Sequence, residues 1–234
     1  MRILTDLFDN SRRAETLVVL LPPSGARIED FYTQGFVDAV RQRDIPIDLM
    51  LAEVTYRHVM EKTVASALHE HVVQPAQAAG YRNIWLAGIS LGAFNALHYA
   101  SKHASHLAGI HLISPYPGTG DIIAEIIGGS GTAAWVRASP SNQEDERAWW
   151  HWLCREADQG QWRTPVYFGT GSEDRFLNGQ HMLADLLPAE RVRILPGLHD
   201  WPTWQSLWHD WLDHGPLAGR SLRYVWNSQI RVRC

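Results

Sequence analysis

Runs of consecutive apolar residues recur along this chain of 234 residues, and several are followed by apolar residues at helical spacing. The first run, residues 16–21, is apolar at every position after Thr16 and is stopped by Pro22 and Pro23. A strand that is apolar throughout is buried on both faces, which is typical of a parallel sheet covered by helices. Alternation of such strands with helices predicts an α/β fold with a doubly wound, mostly parallel sheet.

Further apolar runs extend this alternation along the chain. They predict strands at residues 45–54, 84–89, 107–114, 166–170 and 192–195. Helical spacing between the strands predicts covering helices, one of which is expected to kink near Pro75 and to end at Gly80. A closing helix carries Trp204, Trp208 and Trp211, whose spacing favours core positions over a binding surface.

Residues 117–163 interrupt the alternation, because no convincing strand lies there while two stretches have a helical pattern. We predict a single domain over residues 1–234, with this interval as a small helical cap insertion within it. Trp135 and Trp149 in the insertion are candidates for an apolar wall that contacts the substrate. The tail from residue 215 to the end has no motif and only a weak strand pattern at residues 222–226.

The segment Gly88-Ile89-Ser90-Leu91-Gly92 matches the G-x-S-x-G pattern of a nucleophile elbow. In that motif a tight turn between a strand and a helix presents the serine hydroxyl at the carboxyl edge of the sheet. Two glycines without Cβ atoms let the strand and the helix approach closely enough for the turn to close. A predicted strand precedes Ser90 and helical spacing follows it, so we predict that Ser90 is a nucleophile.

A serine hydroxyl needs a base and a carboxylate to activate it, and both follow later predicted strands. Asp174 lies in the loop after residues 166–170, and His199 lies in the loop after residues 192–195. All three residues should meet at the carboxyl edge of the sheet, where ligands of open α/β sheets bind. Glu173 is the alternative acid, but aspartate is the usual residue at this position.

An oxyanion intermediate needs two backbone N–H donors, and the first should come from Leu91, the residue after the nucleophile. The second should come from the loop after residues 16–21. Because Pro22 and Pro23 have no N–H, the donor is either Ser24 or Gly25, and Ser24 is favoured.

Other candidate sites in the sequence have simpler structural interpretations. His69 and His71 form an H-x-H pair, but no third metal ligand follows at a suitable spacing, so no metal site is predicted. Asp200 is expected to cap the last helix, with Pro202 in its first turn. The glycine cluster at residues 128, 129 and 131 lacks the Lys-Ser/Thr of a phosphate-binding loop and predicts a hinge or turn.

Composition excludes several classes of function. The net charge of −4, without a basic stripe, argues against nucleic acid as a partner and against binding to an anionic membrane. Cys154 and Cys234 are too far apart to suggest a disulfide framework, and residues 1–10 lack the features of a signal peptide. A cytoplasmic protein is therefore expected, and a homodimer is left open.

With its elbow at Ser90, acid loop at Asp174 and histidine loop at His199, the sequence resembles the serine esterases of the α/β-hydrolase superfamily. The resemblance extends to about residue 214, and the segment His199-Asp200-Trp201 resembles that of carboxylesterases. The chain departs from many members at Pro22-Pro23, where they carry His-Gly. The resemblance implies an α/β-hydrolase fold and hydrolysis of an ester, thioester or amide through an acyl-enzyme on Ser90, without metal or organic cofactor.

Two classes of alternative function stay open. The same fold and residues support thioesterase, acyltransferase and lyase chemistry, because a fold does not determine a reaction. The chain could instead be a non-catalytic scaffold that binds a small ligand, although it lacks none of the three predicted catalytic residues. The short insertion favours a carboxylic ester of small to medium size as the substrate.

Overall fold

The computed structural model describes residues 1–128, 132–138, 145–160 and 162–218. Seven strands form one sheet, in the order β1-β3-β2-β4-β5-β6-β7. Strand β1 is antiparallel to β3, and every other neighbouring pair is parallel. The strands are β1 Ile3–Asp6, β2 Thr16–Leu21, β3 Ile47–Ala52, β4 Asn83–Ile89, β5 Gly109–Ile113, β6 Val166–Gly171 and β7 Val192–Leu195.

Helices connect the strands and cover both faces of the sheet. They are α1 Asp30–Thr33, α2 Phe36–Arg41, α3 Tyr56–Met60, α4 Val64–Leu68, α5 Gln74–Ala78, α6 Leu91–His103, α7 Gly120–Gly128, α8 Thr132–Ala138, α9 Glu146–Gln159, α10 Leu177–Ala184 and α11 Trp201–His214. A π-helical segment, His69–Val73, joins α4 to α5, and 3-10 turns lie at Ala104–His106 and Ala189–Arg191. The predicted strand at residues 222–226 and the glycines at positions 129 and 131 lie outside the described residues.

Strand β2 shows why the sheet needs helices on both faces. All six of its residues are buried. Leu17, Val19 and Leu21 pack into the core that contains α4, α5 and α6, whereas Val18 and Leu20 pack into the core that contains α2 and α11. Successive side chains of a strand point to opposite faces, so a strand between two helical layers must be apolar at every position. The predicted doubly wound, mostly parallel sheet is confirmed.

The closing helix α11 packs through its tryptophans. Trp204, Trp208 and Trp211 are 6%, 0% and 4% exposed, which confirms their prediction as core residues. The indole N–H of Trp208 donates to the carbonyl of Phe36 at 3.0 Å, so this buried polar group has a partner. Asp200 caps the helix by accepting from the backbone N–H of Thr203, as predicted.

The structure differs from the sequence prediction at two elements. Strand β1 was not predicted, since four partly exposed residues at a sheet edge give no run of apolar residues. The helix expected to kink at Pro75 instead widens into the π-helical segment just before α5. A proline has no N–H to donate to the preceding turn, and a π-turn is one of the ways in which a helix accommodates that loss.

Helices α7, α8 and α9 follow β5, and α9 packs against α6 through the rings of Trp149 and Phe94, whose centroids are 5.8 Å apart. The description of residues 117–163 as a cap within a single domain stays a prediction.

In the described part of the chain, no helix combines the length and the apolar composition that a membrane span requires.

The start of α6 lies against the end of β2 without any intervening side chain. A Cβ atom on Gly92 would overlap the carbonyl oxygen of Leu21, and one on Gly88 would overlap the backbone of Gly92. The obstacles are backbone atoms and cannot rotate away. Glycine is therefore required at both positions for β4, β2 and α6 to meet.

We expect Gly92→Ala to lower the free energy of unfolding by about 2 kcal/mol or more, because the added methyl group must push β2 and α6 apart. Urea unfolding would measure the change. Gly120→Ala is the control, since a Cβ atom there meets nothing within 4 Å, and its stability should stay within about 0.5 kcal/mol of wild type. Equal unfolding midpoints for Gly92→Ala and wild type would contradict the close contact.

Candidate active site

Ser90 lies between the last residue of β4 and the first residue of α6, with backbone angles φ 52° and ψ −111°. Residues other than glycine rarely adopt a positive φ, and the surrounding structure must hold such a residue in place. The N–H of Ser90 donates to Ile113 at 2.9 Å, and its carbonyl accepts from Phe94 and Tyr116, each at 3.1 Å. These three hydrogen bonds fix the strained turn between β4 and α6.

His199 follows β7 and contacts the other two predicted catalytic residues. Its Nε2 lies 2.9 Å from the hydroxyl oxygen of Ser90, and its Nδ1 lies 2.7 Å from a carboxylate oxygen of Asp174. Because a carboxylate can only accept, we assign the ring proton to Nδ1, which leaves Nε2 to accept from the hydroxyl. The structure thus brings Ser90, His199 and Asp174 together in one hydrogen-bonded chain.

Asp174 is only 4% exposed, and its surroundings favour its charged form. Burial alone would raise the pKa of this carboxyl group, but hydrogen bonds from His199 and from the N–H of Phe176 outweigh burial and hold the pKa below its ordinary value. Asp174 is therefore ionised at neutral pH. The alternative acid, Glu173, has an exposed side chain and contributes its backbone N–H to the carbonyl of Gly197.

The loops that carry Asp174 and His199 are hydrogen-bonded to each other. The N–H of Ser172 donates to Leu195 at 2.7 Å, and that of Glu173 donates to Gly197 at 2.9 Å. A Cβ atom on Gly171 would overlap the carbonyl oxygen of Gly197, so glycine is needed for the loops to approach this closely. The distance between Asp174 and His199 is therefore set by main-chain contacts.

A buried polar network behind Asp174 was not foreseen from the sequence. The hydroxyl of Thr170 donates to Gln180 at 2.5 Å and lies 3.4 Å from Asp174, and the amide of Gln180 donates to the carbonyl of Pro115 at 3.0 Å. Thr170 and Gln180 are both fully buried. No local pattern marks Gln180, because its partners come from β6 and from the segment after β5.

The predicted oxyanion donors lie on neighbouring segments. Leu91 is the first residue of α6, where backbone N–H groups have no partner within the helix. Ser24 and Gly25 occupy the centre of a turn closed by a hydrogen bond of 3.2 Å from Ala26 to Pro23. The contact of α6 with the end of β2 brings this turn towards Leu91. The choice between Ser24 and Gly25 stays a prediction.

Aromatic rings surround the histidine. Phe176 and Trp204 contact the ring of His199 edge to face, at centroid distances of 5.0 and 5.2 Å. The candidates for the substrate wall, Trp135 and Trp149, are 2% and 0% exposed and pack in the core. Helical spacing alone could not separate these core rings from rings that line a pocket. A contact of either ring with substrate stays a prediction.

The family model named Esterase, described as "Putative esterase", matches residues 2–212. No curated protein is similar enough in sequence to match the chain.

Several solved structures share the fold over most of the chain. FphF, a fluorophosphonate-binding serine hydrolase of Staphylococcus aureus, has a TM-score of 0.60 at 12% identity, over 88% of this chain and 89% of that one. Est1E from Butyrivibrio proteoclasticus, solved with ferulic acid, has a TM-score of 0.58 at 12% identity, over 91% and 94%. XC6422 from Xanthomonas campestris, an α/β serine hydrolase without a lid, has a TM-score of 0.53 at 16% identity, over 91% and 86%. The chain has the α/β-hydrolase fold.

We expect Asp174→Asn to lower kcat for an ester substrate by about 10⁴-fold, because an amide at this position favours the wrong tautomer of the histidine. The matched control is Glu173→Gln, which makes the same exchange at the adjacent exposed residue and should leave kcat unchanged. Steady-state hydrolysis of p-nitrophenyl acetate by both variants would measure this. A large loss in Glu173→Gln together with an active Asp174→Asn would assign the acid to Glu173.

Proposed function

The chain belongs to the Esterase family and is an ester-cleaving serine hydrolase, and we propose that it hydrolyses a carboxylic ester through an acyl-enzyme on Ser90. The observation that carries this proposal is the double contact of His199, at 2.9 Å from the hydroxyl of Ser90 and 2.7 Å from the carboxylate of Asp174. A base held between a nucleophile and a buried carboxylate is the arrangement that nucleophilic acyl transfer requires.

In the first half of the proposed reaction, the hydroxyl oxygen of Ser90 attacks the ester carbonyl carbon while Nε2 of His199 takes the hydroxyl proton. The carbonyl oxygen becomes an oxyanion that accepts from the N–H of Leu91 and from that of Ser24 or Gly25. When the tetrahedral intermediate collapses, the bond to the alkoxy oxygen breaks. The alcohol leaves with the proton from His199, and Ser90 carries the acyl group.

In the second half, His199 takes a proton from water, and the resulting hydroxide attacks the acyl carbon. The bond to Ser90 then breaks, the serine oxygen recovers its proton from His199, and the carboxylic acid leaves. The ionised carboxylate of Asp174 stabilises the imidazolium in both halves. These steps use only side-chain and backbone groups of the protein and water, as the sequence resemblance implies.

The acyl group of the substrate is proposed to be small. A cavity of about 150 Å³ lies beside α6, and it is lined by the apolar side chains of Val59, Val64 and Phe94 together with the polar residues Lys62, Asn95, His98, Asp145 and Glu146. Phe94 lines this cavity and follows Ser90 by one helical turn, and we place its ring between the cavity and the nucleophile. Cavities of about this volume accept a single benzene ring, which argues for short acyl chains.

We expect a fluorophosphonate probe to label the wild type and Ser66→Ala but not Ser90→Ala, with loss of p-nitrophenyl acetate hydrolysis in parallel. Intact-protein mass and absorbance would measure the two effects. Ser66 is an exposed serine on α4 and controls for non-specific labelling. An unlabelled and inactive wild type would favour the non-catalytic scaffold, and labelling retained in Ser90→Ala would assign the nucleophile elsewhere.

We expect Phe94→Ala to raise hydrolysis of p-nitrophenyl octanoate relative to the acetate by about tenfold, because removal of the ring opens the cavity towards Ser90. The control is Phe8→Ala, which also removes a half-buried ring, beside β1 at the edge of the sheet. The ratio of kcat/KM values for the two esters is the measured quantity. An unchanged ratio in Phe94→Ala would place the acyl group outside this cavity.

Thioester cleavage by the same residues is the alternative reaction, and the same two esters could be compared with their thioester analogues. The cytoplasmic location and the homodimer stay predictions.

A further inference from the structure

Three histidines from two separate segments meet at the end of α6 that is remote from Ser90. One nitrogen of each of His69, His103 and His106 lies within 4.8 Å of the others. The ring centroids of His69 and His103 are 4.4 Å apart, and His106 lies 5.2 Å from His69 and 5.8 Å from His103. All three side chains are half-buried, so they are reachable from solvent yet held by their surroundings.

The fold explains how these residues come together. His103 ends α6 and His106 lies three residues later in the 3-10 turn, so both occupy one face of the chain. His69 is the first residue of the π-helical segment that packs beside them. Single π-turns are frequent at functional sites, since they displace one side chain from the regular helical position. His69 thus meets two histidines from about 35 residues further along the chain, whereas exposed His71, the other member of the H-x-H pair, is not part of the group.

Hydrogen bonding leaves ring nitrogens of this cluster without protein partners. Nδ1 of His69 lies 3.1 Å from the hydroxyl of Tyr99, which fixes that ring and leaves its Nε2 for another ligand. Nδ1 of His106 is buried and has no hydrogen-bond partner. Buried polar atoms in native proteins nearly always have a partner, so an unpartnered imidazole nitrogen beside two other imidazoles requires an explanation.

The hydrogen bond to Tyr99 also orients the ring of His69. A metal-binding imidazole usually makes such a bond through its second ring nitrogen, which fixes the tautomer and leaves the first nitrogen for the ion.

We propose that His69, His103 and His106 form a binding site for a divalent transition-metal ion, with Zn²⁺ as the ion that fits best. Three imidazoles without a carboxylate favour Zn²⁺, Cu²⁺ or Ni²⁺ over Mg²⁺ or Ca²⁺. With zinc–nitrogen distances of 2.0 to 2.1 Å, the three nitrogens would lie about 3.3 Å apart, so the rings must turn inwards by side-chain rotation. Water would complete the coordination.

This site is separate from the catalytic one. Helix α6 has 13 residues and begins beside Ser90, so its end at His103 is about 18 Å from the nucleophile. The ion would link the segment between α4 and α5 to the end of α6. We therefore expect metal binding to raise thermal stability and to leave ester hydrolysis unchanged.

The test is titration of the EDTA-treated, dialysed full chain with ZnCl₂ by isothermal calorimetry, together with thermal unfolding and Co²⁺ absorption spectra. His103→Asn is the test variant and His71→Asn is the control, since it makes the same exchange at an exposed histidine outside the cluster. Unfolding without added metal establishes that both variants are folded. His106→Asn provides a second test variant if His103→Asn is unstable.

We expect one zinc ion per chain, with binding at least about 100-fold weaker in His103→Asn than in wild type and His71→Asn. At a zinc concentration about 100 times the dissociation constant, the melting temperature should rise by about 5 to 10 °C in wild type and in His71→Asn, in both of which the cluster is intact. Tetrahedral Co²⁺ absorption bands should disappear with the same variant. Absence of zinc binding to wild type, or binding to His103→Asn and His106→Asn as tight as to wild type, would overturn the proposal.

Discussion

The backbone of α6 begins directly against the carbonyl oxygens that end β2, at a distance that admits no side chain on Gly92. Ser90 joins β4 to this end of α6, and its positive φ makes the sharp turn that places the helix against β2. The contact between α6 and β2 also brings the turn at Ser24 and Gly25 next to the start of the helix. The nucleophile and the proposed oxyanion donors therefore depend on one main-chain contact, supported by the buried strands on either side.

The charge state of Asp174 in the site depends on burial combined with hydrogen bonding. Asp174 is removed from water, which by itself disfavours a carboxylate, yet His199 and the N–H of Phe176 keep it ionised. Thr170 and Gln180 fill the space behind it with partnered polar atoms. A carboxylate that is buried and fully partnered is well placed to hold an imidazole in one tautomer.

Local sequence patterns were sufficient to predict those parts of the site that are formed by residues close together along the chain. The strand before Ser90 could be predicted because it is an apolar run. The helix after Ser90 and the loops of Asp174 and His199 could be predicted because each of them follows such a run. Features formed by segments that are distant along the chain could not be predicted in this way. The cluster of His69 with His103 and His106, the network at Gln180 and the burial of Trp149 depend on which helices pack together, and strand β1 is too short to produce a periodic pattern.

The hydrogen bonds between the loops after β6 and β7 have a mechanical consequence. Because the N–H of Ser172 donates to the carbonyl of Leu195, the loops that carry Asp174 and His199 are held to each other through their main chains. Ser90 lies at the junction of β4 and α6, and its hydroxyl contacts this pair of loops through the hydrogen bond of 2.9 Å to His199. A small displacement of Ser90 would therefore change how well its hydroxyl is activated, while the pair of loops keeps the histidine in its orientation.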